Sequence, residues 1–106
     1  MVIKRNKLMQ ITVQSDGFTV DQKLVEFIET KLNKLETFYD QIVDATVYLI
    51  VESAKDKENK LVEVKINVPG NNFVVKKQSK SFEESADLCA EALRRVLIKH
   101  KEKVVS

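Results

Sequence analysis

The sequence predicts an α+β protein of two layers: a four-stranded sheet with two helices on one face, in the order β-α-β-β-β-α. Four stretches alternate apolar and polar residues with the two-residue period of a strand that buries one face. Two other stretches place apolar residues at steps of three and four, the spacing of an amphipathic helix. Because a sheet with one apolar face needs a covering layer, both helices are expected on that face.

The first strand and the first helix follow one another near the amino terminus. Residues 8–14 alternate in the strand period, and the Ser-Asp-Gly sequence at 15–17 is typical of a turn. A helix of about four turns is predicted from Val20 onward. Thr19 and Gln22 have the spacing of a capping box, so Thr19 is the expected N-cap. The apolar positions of this helix are Leu24, Phe27, Ile28, Leu32 and Leu35.

The remaining three strands are predicted at residues 45–52, 62–68 and 73–78. The charged tip at 53–60 is expected to be a solvated loop, and Pro-Gly-Asn-Asn at 69–72 predicts a turn that joins the last two strands in a hairpin. The helix after the first strand permits a parallel crossover, but the sequence leaves the strand order open. The predicted buried face consists of Ala45, Val47, Leu49, Val51, Val62, Val64, Ile66 and Val68.

The second helix is predicted to begin after Ser81, which has Glu84 three residues later in capping-box spacing. Glu83 and Glu84 suit the positive end of the helix dipole. The buried positions expected from the helical period are Phe82, Ala86, Cys89, Leu93, Leu97 and His100.

Composition restricts the class of protein. With 106 residues, 43% of them hydrophobic, the chain is long enough for one compact domain. No apolar run approaches the roughly 20 residues of a membrane span, and a cytoplasmic location is expected. A single Cys89 and a single His100 form no disulfide and no Cys/His zinc cluster. Cys89, at a helical core position, is interpreted as a small buried residue.

The charge is distributed unevenly along the chain. Residues 9–93 carry ten Lys or Arg against fifteen Asp or Glu, whereas residues 94–103 carry five cations and one anion. Arg95, Lys99 and Lys103 are four residues apart and form one stripe on a helix. A concentration of cations is typical of a protein that binds a polyanion, so nucleic acid is the first partner to consider. The alternative is a solvated basic helix end that complements the helix dipole.

Catalysis is poorly supported by the sequence. It has two glycines, no Gly-rich phosphate loop and no nucleophile with a neighbouring base. Glu83, Glu84, Asp87 and Glu91 are explained by the helix start and by a solvent-facing side. We therefore predict no catalytic residue, no metal site, no cofactor and no small-molecule substrate.

Four segments, residues 9–12, 27–36, 68–71 and 97–103, carry a resemblance to a known family. The most specific parts are the Lys-x-x-Lys-Leu-Glu sequence that ends at Glu36 and the Lys-His-Lys sequence at 99–101. In the order and spacing of these segments the chain resembles the ribosome hibernation promoting factors, also called ribosome-associated inhibitors, and in particular their short form. The resemblance extends from Met9 to about Lys103.

The resemblance implies a bacterial stress-response protein with a topology similar to that of double-stranded RNA-binding domains. Such a protein binds the small ribosomal subunit in the channel for messenger and transfer RNA and inhibits translation. Asp87 matches a carboxylate that is usual in the family, while Glu83 and Ala92 replace a common aromatic residue and a common lysine. The expected contacts to ribosomal RNA are Lys31, Lys34, Lys76, Lys77, Arg94, Arg95, Lys99, Lys101 and Lys103.

The expected domain organisation is a flexible basic extension at residues 1–8 followed by one ribosome-binding domain at 9–106. One alternative function is generic binding of double-stranded RNA. Another is a protein-interaction or self-association module that uses the uncovered sheet face, with Tyr48, Ile50 and Leu61. Phe38 and Tyr39 are expected to pack against the sheet, which leaves Tyr48 as the better candidate for an exposed aromatic contact.

Overall fold

The computed structural model describes residues 9–52 and 57–105. The predicted extension at 1–8 and half of the predicted tip, residues 53–56, lie outside the described residues. The elements follow the predicted order: β1 (Gln10–Ser15), α1 (Gln22–Asn33) continued by a 3₁₀ turn (Lys34–Thr37), β2 (Asp44–Val51), β3 (Lys60–Val68), β4 (Asn71–Ser79) and α2 (Phe82–Val105). The predicted α+β class and its element order are confirmed.

The sheet has the strand order β1-β2-β3-β4. β1 runs parallel to β2, with Thr12 opposite Thr46, and the other two pairings are antiparallel. The parallel pair needs a long crossover, which α1 and the 3₁₀ turn provide, whereas tight connections suffice for the antiparallel pairs. The β3–β4 connection is the Pro69-Gly70 turn, and Gly70 has φ +79°, a value that favours glycine.

The core lies between the helices and one face of the sheet. The alternating residues of β2 and β3 are buried as predicted, and Ile28, Leu32, Leu93 and Leu97 of the helices cover them. Full burial of each such side chain stabilises the fold by about 1.5–3 kcal/mol. Val51 is the exception, since it is 44% exposed at the last position of β2, where the covered part of the sheet ends.

The predicted N-cap residue is confirmed for α2 but not for α1. At α2 the Glu84 N–H donates to Ser81 Oγ at 3.1 Å, as predicted. At α1 the prediction was wrong, because Asp21 and not Thr19 is the N-cap and accepts from the Lys23 N–H at 3.2 Å. Phe18 stacks on Phe82 with 5.5 Å between ring centres, so the chain packs against α2 before α1 begins.

Buried polar groups fix the start of α2 to the sheet. Ser85 Oγ donates to the Lys60 carbonyl at 2.6 Å and lies 2.8 Å from Ser79 Oγ. One turn later, Cys89 Sγ donates to the Val62 carbonyl at 3.3 Å. Burial raises the pKa of the Cys89 thiol to about 12, and the nearby Lys77 opposes this shift only in part. Cys89 is therefore a protonated core residue, as the sequence indicates.

The end of α2 is held by His100. Its ring meets Tyr39 edge-on at 5.2 Å and Phe73 at 5.3 Å between centres. Edge-to-face contacts of this kind are favourable and directional. Because His100 points between Tyr39, which follows the 3₁₀ turn, and Phe73 of β4, its neighbours Lys99 and Lys101 are exposed.

Candidate nucleic-acid interface

The groove between α1 and α2 collects cations from both helices. We call it the interhelical groove; its lining residues are Lys31, Lys34, Leu35, Phe38, Ala90, Glu91 and Arg94. Leu35 and Ala90 are buried and Phe38 is half-buried, so the floor is apolar. Lys31, Lys34 and Arg94 line the same groove with positive charge. Beyond its end, Lys101 lines a second depression with residues 36–41.

Two of the groove cations, Lys31 and Arg94, are already paired in the free protein. Lys31 Nζ lies 3.0 Å from Asp87 Oδ1 and 5.4 Å from the centre of the Phe27 ring. Arg94 Nη1 lies 3.3 Å from Glu91 Oε2, and its guanidinium carbon lies 5.2 Å from the centre of the Phe38 ring. Lys31 and Arg94 thus each have a carboxylate and an aromatic ring as partners. Exposed ion pairs contribute only about 0–1 kcal/mol to stability, so a phosphate can compete for these cations.

Arg95, Lys99 and Lys103 form a second set, which we call the outer stripe. An α-helix turns by about 100° per residue, so Lys99 lies about 140° around α2 from Arg94. The outer stripe is therefore on the flank of α2 away from α1. The cations of α2 thus lie on two flanks of the helix and not on one face. The flanks meet at Glu91, whose Oε2 is also 3.8 Å from Arg95 Nη1.

The two lysines of β4 lie on opposite faces of the sheet. Lys77 is opposite Val62 and therefore on the helix-covered side, whereas Lys76 is opposite Glu63 on the uncovered side. The structure brings Lys77 towards α2, where its charge acts on the Cys89 thiol, and does not bring Lys76 there. As exposed charge on an edge strand, Lys76 is also explained by protection against edge-to-edge pairing.

The aromatic residues are placed largely as expected. Tyr39 is buried in the core, and Phe38 is half-buried beneath Arg94. Tyr48 is half-buried on the uncovered sheet face, opposite Gln14 and Glu63. Sequence reasoning missed the roles of Phe27 and Glu91 as partners of cations. Their helical spacing was the available signal, because Phe27 precedes Lys31 by four residues and Glu91 precedes Arg94 by three.

One carboxyl group near the groove has a shifted pKa. Burial raises the pKa of Glu36 above its usual value, a hydrogen bond from the Met9 backbone opposes the shift, and the charge of Asp40 adds to it.

Within residues 9–52 and 57–105, no three His, Cys, Asp or Glu side chains are grouped as they would be to hold a metal ion. The helices of this same part of the chain include none that is long and apolar enough to cross a membrane.

Comparisons with known proteins agree with the resemblance seen in the sequence. A ribosome hibernation promoting factor of Azotobacter vinelandii is 32% identical over 97 residues, which cover 92% of this chain and 87% of that protein. A protein of the same name from Pseudomonas putida is 30% identical over 95 residues, 90% of this chain and 89% of that protein. These bacterial relatives confirm the predicted family.

The fold also matches a solved structure. A ribosomal subunit interface protein from Coxiella burnetii superposes with a TM-score of 0.79 at 23% identity, over 89% of this chain and 99% of that chain. At this identity the likeness shows the shared fold. The model of the family described as "Sigma 54 modulation protein / S30EA ribosomal protein" matches residues 11–105. The chain therefore belongs to the Sigma 54 modulation protein / S30EA ribosomal protein family.

Proposed function

We propose that this protein is a cytoplasmic ribosome hibernation factor that binds the small ribosomal subunit in the channel for messenger and transfer RNA. The observation that carries the proposal is the concentration of cations along both flanks of α2 in a protein whose residues 9–93 are net negative. The family and the names of the relatives from A. vinelandii and P. putida support a ribosomal partner. Inhibition is by occlusion, with no chemical step, no cofactor and no metal.

The two flanks suggest how α2 meets RNA. A helix with cations on both sides can lie between two phosphate backbones, with the interhelical groove facing one and the outer stripe facing the other. Contacts of this type position a protein without reading bases, so specificity comes from the shape of the folded RNA. With six to eight phosphate contacts, affinity falls by a factor on the order of a thousand or more between low and moderate salt.

The proposed domain that carries out this binding comprises residues 9–106. The predicted extension at 1–8 contributes Lys4, Arg5 and Lys7. These three cations add affinity for RNA of any sequence, because each neutralised phosphate releases counterions. We assign the extension this supporting part only.

Co-sedimentation with separated small and large ribosomal subunits across a salt series tests the proposal. The test variant is Arg95→Glu with Lys99→Glu, which reverses two charges of the outer stripe. The matched control is Lys23→Glu with Lys65→Glu, which makes the same change of net charge at exposed positions near the start of α1 and on the uncovered sheet face. We expect saturable binding of the wild type and the control to the small subunit, and at least a tenfold loss in the test variant.

Three results would contradict the proposal. Equal affinity for an unrelated RNA duplex would indicate a generic RNA-binding domain. Absence of binding at low salt together with self-association would favour an interaction module that uses Tyr48, Ile50 and Leu61. Equal losses in the test and control variants would mean that net charge, and not the flanks of α2, determines binding.

A further inference from the structure

Two carboxylates of α2 hold three of the cations described above. Asp87 pairs with Lys31, and Glu91 pairs with both Arg94 and Arg95. Asp87 and Glu91 are four residues apart, so they stand on the same side of the helix, one turn from each other. A surface built only to attract phosphate would not place two anions among its cations.

Lys31 and Arg94 of the interhelical groove have the same two kinds of neighbour, a carboxylate and an aromatic ring. Lys31 lies between Asp87 and the Phe27 ring, and Arg94 lies between Glu91 and the Phe38 ring. A cation held by a carboxylate and a ring loses rotamer freedom before a ligand arrives, so less freedom remains to be lost on binding. The groove therefore presents two cations at a spacing fixed in the free protein.

Stability of the fold does not account for this arrangement. The Asp87 side chain is 59% exposed and the Glu91 side chain is 55% exposed. Ion pairs between such exposed groups contribute little to folding, because water and salt screen them. Their effect on an approaching RNA is larger, because each carboxylate repels phosphate and competes with it for the same cation.

We infer that Asp87 and Glu91 are positioning residues that make the protein selective among RNA ligands, an inference that rests on the proposed function. An RNA pocket with phosphates at the matching spacing meets Lys31 and Arg94 already ordered. An arbitrary duplex meets two exposed anions and cations whose charge is partly balanced. Specificity then includes a repulsive element against the wrong ligand as well as attraction to the right one.

The experiment compares Asp87→Asn, Glu91→Gln and the double variant with the wild type. Glu29→Gln is the matched control for each single variant, because it also removes one negative charge, on α1 at about 200° around the helix from Lys31. Each protein is titrated with an unrelated RNA duplex and with purified small subunits across a salt series. Thermal unfolding of every variant checks that it is folded.

We expect the double variant to bind the duplex about tenfold tighter than the wild type, with a salt slope steeper by about one to two. Its affinity for the small subunit should change by less than about threefold, so selectivity falls. The Glu29→Gln control should change duplex affinity by no more than about twofold.

A gain in Glu29→Gln equal to that of either single variant would overturn the inference, because net charge would then be the cause. An equal gain on the duplex and on the subunit would overturn it too, since selectivity would be unchanged. If the wild type binds the subunit and the double variant leaves duplex affinity unchanged, the inference alone fails. If the wild type does not bind the subunit, the proposed function fails first and the claim of selectivity fails with it.

Discussion

Replacing Lys99 and Lys76, one at a time, by an uncharged residue tests which of two faces of the molecule binds RNA. Lys99 belongs to the outer stripe of α2, and Lys76 lies on the uncovered sheet face opposite Glu63. Both side chains are exposed, so replacement by glutamine removes one charge at each site with little effect on packing. If RNA binds along α2, only Lys99→Gln removes a phosphate contact.

The size of the effect follows from counterion release. Each phosphate contact contributes about 0.7–0.9 to the slope of log affinity against log salt. Raising the salt from 50 to 200 mM is a fourfold change, over which each phosphate contact contributes about a threefold loss of affinity. A variant that lacks one contact should therefore lose about threefold less affinity than the wild type over this range. We expect this change in Lys99→Gln and a slope within experimental error of the wild type in Lys76→Gln.

The assay is a titration of small subunits with labelled protein at four or more salt concentrations between these limits. Lys65→Gln, a second exposed lysine on the uncovered face, serves as a further control. A slope change in Lys76→Gln as large as that in Lys99→Gln would refute the placement of RNA along α2. It would move the interface to the edge of β4 or to the uncovered sheet face.

Three further predictions concern stability and reactivity. Leu93 is completely buried between α2 and the sheet, so Leu93→Ala should lower the free energy of unfolding by about 2–5 kcal/mol in urea titrations, and a loss below about 1 kcal/mol would contradict the described core. The Cys89 thiol, with its pKa raised by burial to about 12, should not react with a thiol reagent at pH 8 until urea unfolds the protein; rapid reaction of the native protein would be inconsistent with its burial. Glu36 has a raised pKa in the fold, so its contribution to stability is present below the pKa of the unfolded chain and is lost as the pH rises through the folded pKa. Glu36→Gln should therefore raise the melting temperature at pH 7, with a gain that shrinks towards pH 4; an equal gain at both pH values would argue against titration of this group.

Local patterns in the sequence were sufficient for much of this fold. The alternation of Val62, Val64 and Ile66 predicts a half-buried strand because successive side chains point to opposite faces. Ser81 predicts the start of α2 because its hydroxyl is at hydrogen-bond distance from a backbone N–H three residues later. The helical period also identified Cys89 as a core residue. The candidate cations themselves were all named from spacing and family resemblance.

Only the tertiary structure decided how these elements combine. Thr19 and Asp21 are both able to cap a helix. In the folded protein Asp21 is the N-cap of α1, and Phe18 before it stacks on Phe82 of α2. Alternation along the strand places Lys76 and Lys77 on opposite faces of the sheet, but the register of β4 against β3 decides which of them faces the helices.

The pairing of Lys31 with Asp87 joins residues 56 positions apart in sequence, and it exists because α1 and α2 pack side by side. Spacing along the chain determines periodicity and caps, since these depend on neighbouring residues. Strand order, register and the contacts between helices depend on the packing of the whole core, so the sequence by itself names the cations and the structure determines which of them act together.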